Sequence, residues 1–137
     1  QMPEVGIVIP AHACALGKAL LAFDPAGLVD VTGRGMTGET ITDPVALDAQ
    51  LDQVRRTGIA TEAEEAVLGE CGIAAPLADA GGEAAGAIGL VVPASEWPPA
   101  ASAVDALRAA ARAVSRELGA QAWPPPAPDR LRPPASA

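Results

Sequence analysis

Two apolar runs dominate the hydrophobic pattern of the chain, Gly72 to Ala78 and Ala84 to Val92, and between them stands the segment Asp79-Ala80-Gly81-Gly82-Glu83. Two adjacent glycines supply the positive φ that a tight reversal requires, so the pattern predicts a β-hairpin. Neither run carries a charge, which predicts strands covered on both faces, and their glycines leave room for a packed helix or a small ligand at the backbone. The rest of the chain is arranged around this hairpin.

Upstream, Val5 to Ile9 has the β-branched character of a short strand, closed by Pro10. In HACALGKALLAF, apolar Ala13, Leu16, Leu20 and Phe23 recur at helical spacing, and Asp24-Pro25 ends the run. Gly17 inside that helix costs roughly 1 kcal/mol relative to Ala, which implies close backbone packing or a ligand beside it. Asp30 to Thr42 has no period and reads as a loop. Asp43-Pro44 is a strong helix start, cap followed by a residue with no amide hydrogen to lose. Leu47, Leu51 and Val54 form that helix's buried stripe, Asp48, Asp52, Arg55 and Arg56 face water, and Gly58 stops it. The acidic cluster Glu62, Glu64 and Glu65 reads first as a solvated turn. A last helix, about Ala100 to Leu118 and ended by Gly119, carries the stripe Val104, Leu107, Ala111, Val114 and Leu118, with Arg108, Arg112 and Arg116 on a solvated row.

Composition narrows the partners. With 137 residues the chain is one domain long, and 9 basic against 17 acidic residues give a net charge of −8, which repels phosphate backbones. This piece is not expected to bind nucleic acid by itself. The prolines crowd after Trp123, which predicts a globular region 1–122 and a disordered, Pro-rich tail 123–137. Cys14 and Cys71 match no metal-ligand spacing, no signal peptide is visible, and Ala84 to Ser95 is too short to span a membrane. A cytoplasmic setting with reduced thiols follows as an expectation. Gln1 in place of an initiator Met, with strand character so soon after it, points to a fragment.

Individual side chains offer little catalytic chemistry. No nucleophile, base and orienting third group occur together, so neither catalytic residues, metal ligands nor a cofactor are expected. His12 reads as a structural histidine rather than a ligand. Lys18 either snorkels to solvent or pairs with a carboxylate. Cys71 reads as a buried thiol that could touch a ligand at the strand mouth, Asp79 as the shaper of the hairpin turn, and Glu65 as a carboxylate able to accept backbone amides.

Taken together, four motifs carry a resemblance: AHACALGKALLAF at 11–23, MTGETITDP at 36–44, LDQVRRTGIATEAEE at 51–65, and GIAAPLAD at 72–79 with the strand that follows to Pro93. In order and spacing they resemble the effector-binding domain of IclR-type transcriptional regulators over about Pro10 to Gly119. The resemblance implies an α/β (α+β) GAF-like domain, a curved antiparallel sheet flanked by helices, incomplete at its N-terminus, with a small-molecule pocket between sheet and helix. It also implies dimer or tetramer contacts and a winged helix-turn-helix for DNA, which is expected to lie outside this chain together with the domain's first helix and strands.

Carried over position by position, the family's ligand contacts fall on Cys14, Ala15 and Leu16, on Glu62, on Cys71 and Gly72, and on Gly89 and Val91. Gly89 and Val91 stand where the family can carry hydroxyls for an anionic ligand. A pocket without them hydrogen-bonds a small keto acid poorly, so the expected effector is apolar or aromatic and weakly charged. The leading reading is the effector-sensing and oligomerisation domain of a transcriptional regulator, not an enzyme. Two alternatives are a thiol-dependent reductase on the same fold, which needs two converging cysteines and a depressed thiolate pKa, and a non-functional truncated remnant with an unpaired sheet edge.

Overall fold

The computed structural model of the chain describes residues 6–24 and 35–128. Its centre is the hairpin. Strand β2 (Glu70–Ala78) pairs antiparallel with β3 (Ala84–Pro93), and a short β1 (Ala60–Ala63) pairs antiparallel with the other side of β2. Asp79 Oδ1 accepts the Gly81 and Glu83 amides at 2.9 and 3.0 Å, and Gly82 takes φ +78°, so the turn is built as the sequence implies. Helices cover both faces of the sheet. Helix α1 (Ala15–Leu21) and helix α2 (Pro44–Thr57) enclose one core with Ala60 and Ala74, and helix α3 (Ala101–Glu117) encloses a second with Ile73 and Ala75.

Strand β2 is therefore buried on both sides, as its uncharged sequence predicts. The same expectation fails for β3, which is largely exposed, Val91 being 71 % accessible. Among the described residues β3 is an edge strand, as β1 is on the other side, and the helices centre on β2. Gly6 to Pro10 likewise form no strand where one was expected, since no neighbouring strand pairs with them there; Val5 lies outside the described residues.

Helix α2 meets every expectation but one. Asp43 accepts the Val45 and Ala46 amides, Leu47, Leu51 and Val54 are buried, and Gly58 closes the helix at φ +75°. Arg55, expected to face water, turns inward instead. Its Nε donates to the Ala22 carbonyl at 2.6 Å, satisfying an acceptor at the end of α1 that no intrahelical amide reaches.

The stripe expected for the first helix is met at Ala13 and Phe23, which are buried, but not at Leu16 and Leu20. Ala11–Ala13 form a 3₁₀ turn, Cys14 is extended, and the α-helix starts afresh at Ala15. The break resets the period, so Ala15, Lys18, Ala19 and Ala22 are buried while Leu16 and Leu20 are exposed. Gly17 answers to close packing, for a Cβ there would overlap the Ala11 backbone.

Helix α3 shows a related shift. Leu107 and Ala111 are buried as expected, but the stripe continues to Ser115 instead of Val114 and Leu118. Ser115 Oγ accepts the Ala78 amide at 2.9 Å, beside the register irregularity between Leu77 and Ala78. A bulge frees that amide from its ladder, and the hydroxyl satisfies it.

Chain beyond Ala122 was expected to be disordered. Over Trp123 to Pro128 it lies against the domain, and residues 129–137 lie outside the described residues. Trp123 Nε1 donates to the Pro76 carbonyl at 2.8 Å, its ring lies where a Cβ of Gly58 would stand, and the Arg112 guanidinium sits 5.3 Å from its centroid. Because β1 ends opposite Ala74, the strand has no partner at Pro76 on that side, and the indole takes the vacant acceptor. The part of the expected loop from Asp30 to Arg34, and Pro25, also lie outside the described residues; Gly35 to Thr42 is irregular as predicted.

Candidate functional site

One wall of the site is α1, whose start is set by Cys14. Its Sγ accepts the Gly17 amide at 3.4 Å, which leaves Ala15 and Leu16 on the first turn against the sheet. The floor follows from strand register. Glu62, Gly72 and Val91 lie in one cross-strand row, and Ala60, Ala74 and Gly89 in the next, on the same face. A Cβ on Gly72 would stand 3.5 Å from the Ala15 Cβ, the Glu62 Cγ and the Glu62 Oε1. A Cβ on Gly89 would meet the Ile73 carbonyl at 2.7 Å and the Leu16 Cδ2 and Ala74 Cβ at 3.2 Å.

The fold thus brings together Ala15, Glu62 and Gly72, and next to them Leu16 and Gly89. Val91 continues the row but is exposed. Cys71 is turned by strand alternation to the opposite face, and it is buried there. Contact between α1 and the sheet is direct at Ala15, whereas Leu16, Gly89 and Val91 lie on the side of the site exposed to solvent. Cavities of about 770 Å³, at Phe23, the hairpin turn and Pro126, and about 300 Å³, around Gln50, Gln53 and Arg108, contain none of these eight residues.

Beside the floor sits a buried ionic cluster that the sequence pattern did not disclose. Lys18 is fully buried and its Nζ donates to Glu65 Oε1 at 2.7 Å, to Gln50 Oε1 at 2.8 Å and to the Thr61 carbonyl at 3.0 Å. Of its two sequence-level readings, pairing with a carboxylate is the one realised. Glu65 also accepts the Ala63 amide at 3.0 Å, and its own carbonyl takes the Thr40 hydroxyl at 2.6 Å. The solvated-turn reading of the acidic cluster is therefore corrected: Glu62 and Glu65 are both buried, and Glu64 adopts φ +56° with its carboxylate on the Gly69 amide. A lysine flanked by alanines and leucines in AHACALGKALLAF was the one available signal, since a cation on a buried turn must find an anion.

Glu62 has no such cation to itself. Its Oε2 accepts the Glu65 amide at 3.0 Å, while burial pushes the carboxyl above its ordinary value; that amide opposes the shift, the Glu65 charge adds to it and Lys18 opposes it. Burial raises the Cys71 thiol as well, opposed by the Glu64 backbone and reinforced by the charges of Glu62, Glu64 and Glu65. A thiol held protonated is a poor nucleophile. Among the described residues no group of His, Cys, Asp or Glu could hold a metal ion, and no helix is long and apolar enough to cross a membrane. His12 is buried within the 3₁₀ turn.

The family described as bacterial transcriptional regulator IclR C-terminal matches residues 1–116. The chain belongs to the IclR family. Its relatives include the glycerol operon regulatory protein of Streptomyces griseus, 39 % identical over 96 residues that make up 68 % of this chain and 38 % of that protein. Among solved structures, the Thermotoga maritima IclR superposes with a TM-score of 0.78 at 27 % identity, covering 88 % of this chain and 51 % of that one. An IclR homologue from Microbacterium hydrocarbonoxydans, complexed with 4-hydroxybenzoate, superposes at 0.70 and 27 % identity, covering 85 % and 50 %. The chain therefore spans about two fifths of the curated relative and half of these structures. Its helix-sheet-helix arrangement is the GAF-like fold of IclR C-terminal domains, as the sequence implied. The relatives are regulators and not enzymes, which leaves the thiol-reductase alternative, already at odds with the raised Cys71 thiol, without support.

Proposed function

We propose that this IclR C-terminal domain senses a small apolar or aromatic, weakly charged effector held by Cys14, Ala15, Leu16, Glu62, Gly72, Gly89 and Val91, with Cys71 behind the floor. The observation that carries the reading is the convergence of Ala15 and Glu62 on Gly72, where a Cβ would stand 3.5 Å from the Ala15 Cβ and the Glu62 Oε1, with Leu16 and Gly89 beside them; it sets one helix start, one carboxyl and a glycine-bearing sheet row at one place. Gly89 and Val91 bring no hydroxyl, and the backbone of Ile73 blocks any side chain at Gly89. Such a floor offers apolar contact and little hydrogen bonding, which favours a ring over a small keto acid. The benzoate ligand of the Microbacterium homologue is of that class.

In the parent protein this domain acts in the cytoplasm and as a homo-oligomer, and it reaches DNA only through a winged helix-turn-helix outside the 137 residues. Effector binding favours one packing of α1 on the sheet and so biases how partner subunits hold their DNA-binding parts. Calorimetry on the chain with benzoate, 4-hydroxybenzoate, pyruvate and glyoxylate tests the ligand class. Binding of the aromatic acids, weakened at least tenfold by Gly72→Val with the fold intact, is the expected result. Tight binding of pyruvate or glyoxylate with none of the aromatic acids defeats it.

A further inference from the structure

We propose that Glu62 reads the effector's anionic group as a neutral carboxylic acid, so that binding an aromatic acid at this site takes up one proton. The inference rests on the effector site proposed above and adds to it the protonation state of the residue that does the reading.

The geometry leaves Glu62 without a cation paired to it. The cation within reach is Lys18 of α1, and its three donors are committed to Glu65, Gln50 and the Thr61 carbonyl. Glu65, from the turn after β1, thereby uses up the lysine and sets its own negative charge against Glu62. Strand β2 faces Glu62 with the uncharged Gly72, flanked by the protonated Cys71, and β3 continues the row with Val91. Glu62 is only 6 % accessible, with Oε2 held by the Glu65 amide and Oε1 over Gly72, which Val91 follows in the same row at the exposed side of the site.

An anionic guest placed against Oε1 would meet a carboxylate with no partner cation, in a half-dry site where like charges repel strongly. Protonation removes the conflict and creates a donor. The carboxyl takes a proton from a buffer acid, its O–H then donates to the guest's carboxylate oxygen, and one proton is bound for each anion. No covalent bond changes.

Titration calorimetry of 4-hydroxybenzoate into the 137-residue chain, in phosphate and in Tris buffers from pH 5.5 to 8, gives the proton count directly. Uptake approaching one proton is expected at the alkaline end, with affinity falling up to tenfold per pH unit there, the limit for one linked proton. Glu62→Gln, which keeps a neutral donor, is expected to bind with no uptake and with pH-independent affinity near the wild-type acidic limit. Wild-type affinity that does not change with pH, or loss of binding in a folded Glu62→Gln, overturns the inference while leaving the effector site standing. If neither benzoate nor 4-hydroxybenzoate binds at any pH, the ligand class has failed and this inference with it; where they bind, a carboxyl carbon NMR titration of Glu62 in the free chain is expected to show a midpoint above the ordinary glutamate range, and a midpoint within that range overturns the inference alone.

Discussion

At the scale of single residues, the decisive facts are the charges that burial has captured. Glu62 is raised above its ordinary value by desolvation, so its neutral form is the one the fold favours. For a carboxyl raised on folding, the stabilisation is complete below the unfolded-state value and disappears as pH climbs through the folded one. Wild-type chain is therefore expected to lose stability relative to Glu62→Gln on going from pH 5 to pH 8, and denaturant midpoints measured side by side check the sign. Cys71 is pushed the same way, which keeps it a thiol at neutral pH. Iodoacetamide at pH 7.5 is expected to modify the partly exposed Cys14 of the native chain and to reach Cys71 only on unfolding; peptide mass spectrometry over time distinguishes the two. None of this was visible in TEAEE, because a glutamate in a turn and a glutamate under a helix are spelled alike.

Elements show a sharper division. Helix α2 was legible end to end, since its cap, first-turn proline, apolar stripe and terminal glycine are all local signals. The start of α1 was not, because the extended Cys14 interrupts a run whose spacing looks continuous, and a one-residue change of phase exchanges the buried and exposed sets. The stripe of α3 moved for a different reason, the hydroxyl of Ser115 answering an amide on β2. The helix, turn and strand that frame the site are joined by one ionic link, Lys18 of α1 to Glu65 beyond β1. Removing one partner of a buried pair strands the other, at a cost of about 3–5 kcal/mol. Lys18→Met is expected to destabilise by that amount in urea unfolding, whereas the exposed pair Arg56 to Asp52 is expected to contribute under about 1 kcal/mol.

Over the whole molecule, the sheet is roofed on one face by α1 and α2 and on the other by α3, and the C-terminal segment ties α3 to β2 and to the C-terminal cap of α2. Trp123 reaches Pro76, Gly58 and Arg112 together, so Trp123→Ala is expected to cost about 3 kcal/mol, read from thermal or denaturant unfolding. No change at all would return that segment to the status of a free tail. What the amino-acid sequence determined alone was whatever is written within a few residues: the hairpin and its Asp79 turn, α2 and its caps, the end of α3, and motifs whose order along the chain marks the IclR family. Tertiary structure alone decided which charged and polar groups go inside, because their partners are remote, 47 positions apart for Lys18 and Glu65 and for Pro76 and Trp123, and 37 for Ala78 and Ser115. Burying a polar side chain is favourable only when a complementary group arrives in the same place, and that coincidence is a property of the packed chain, not of any stretch of it.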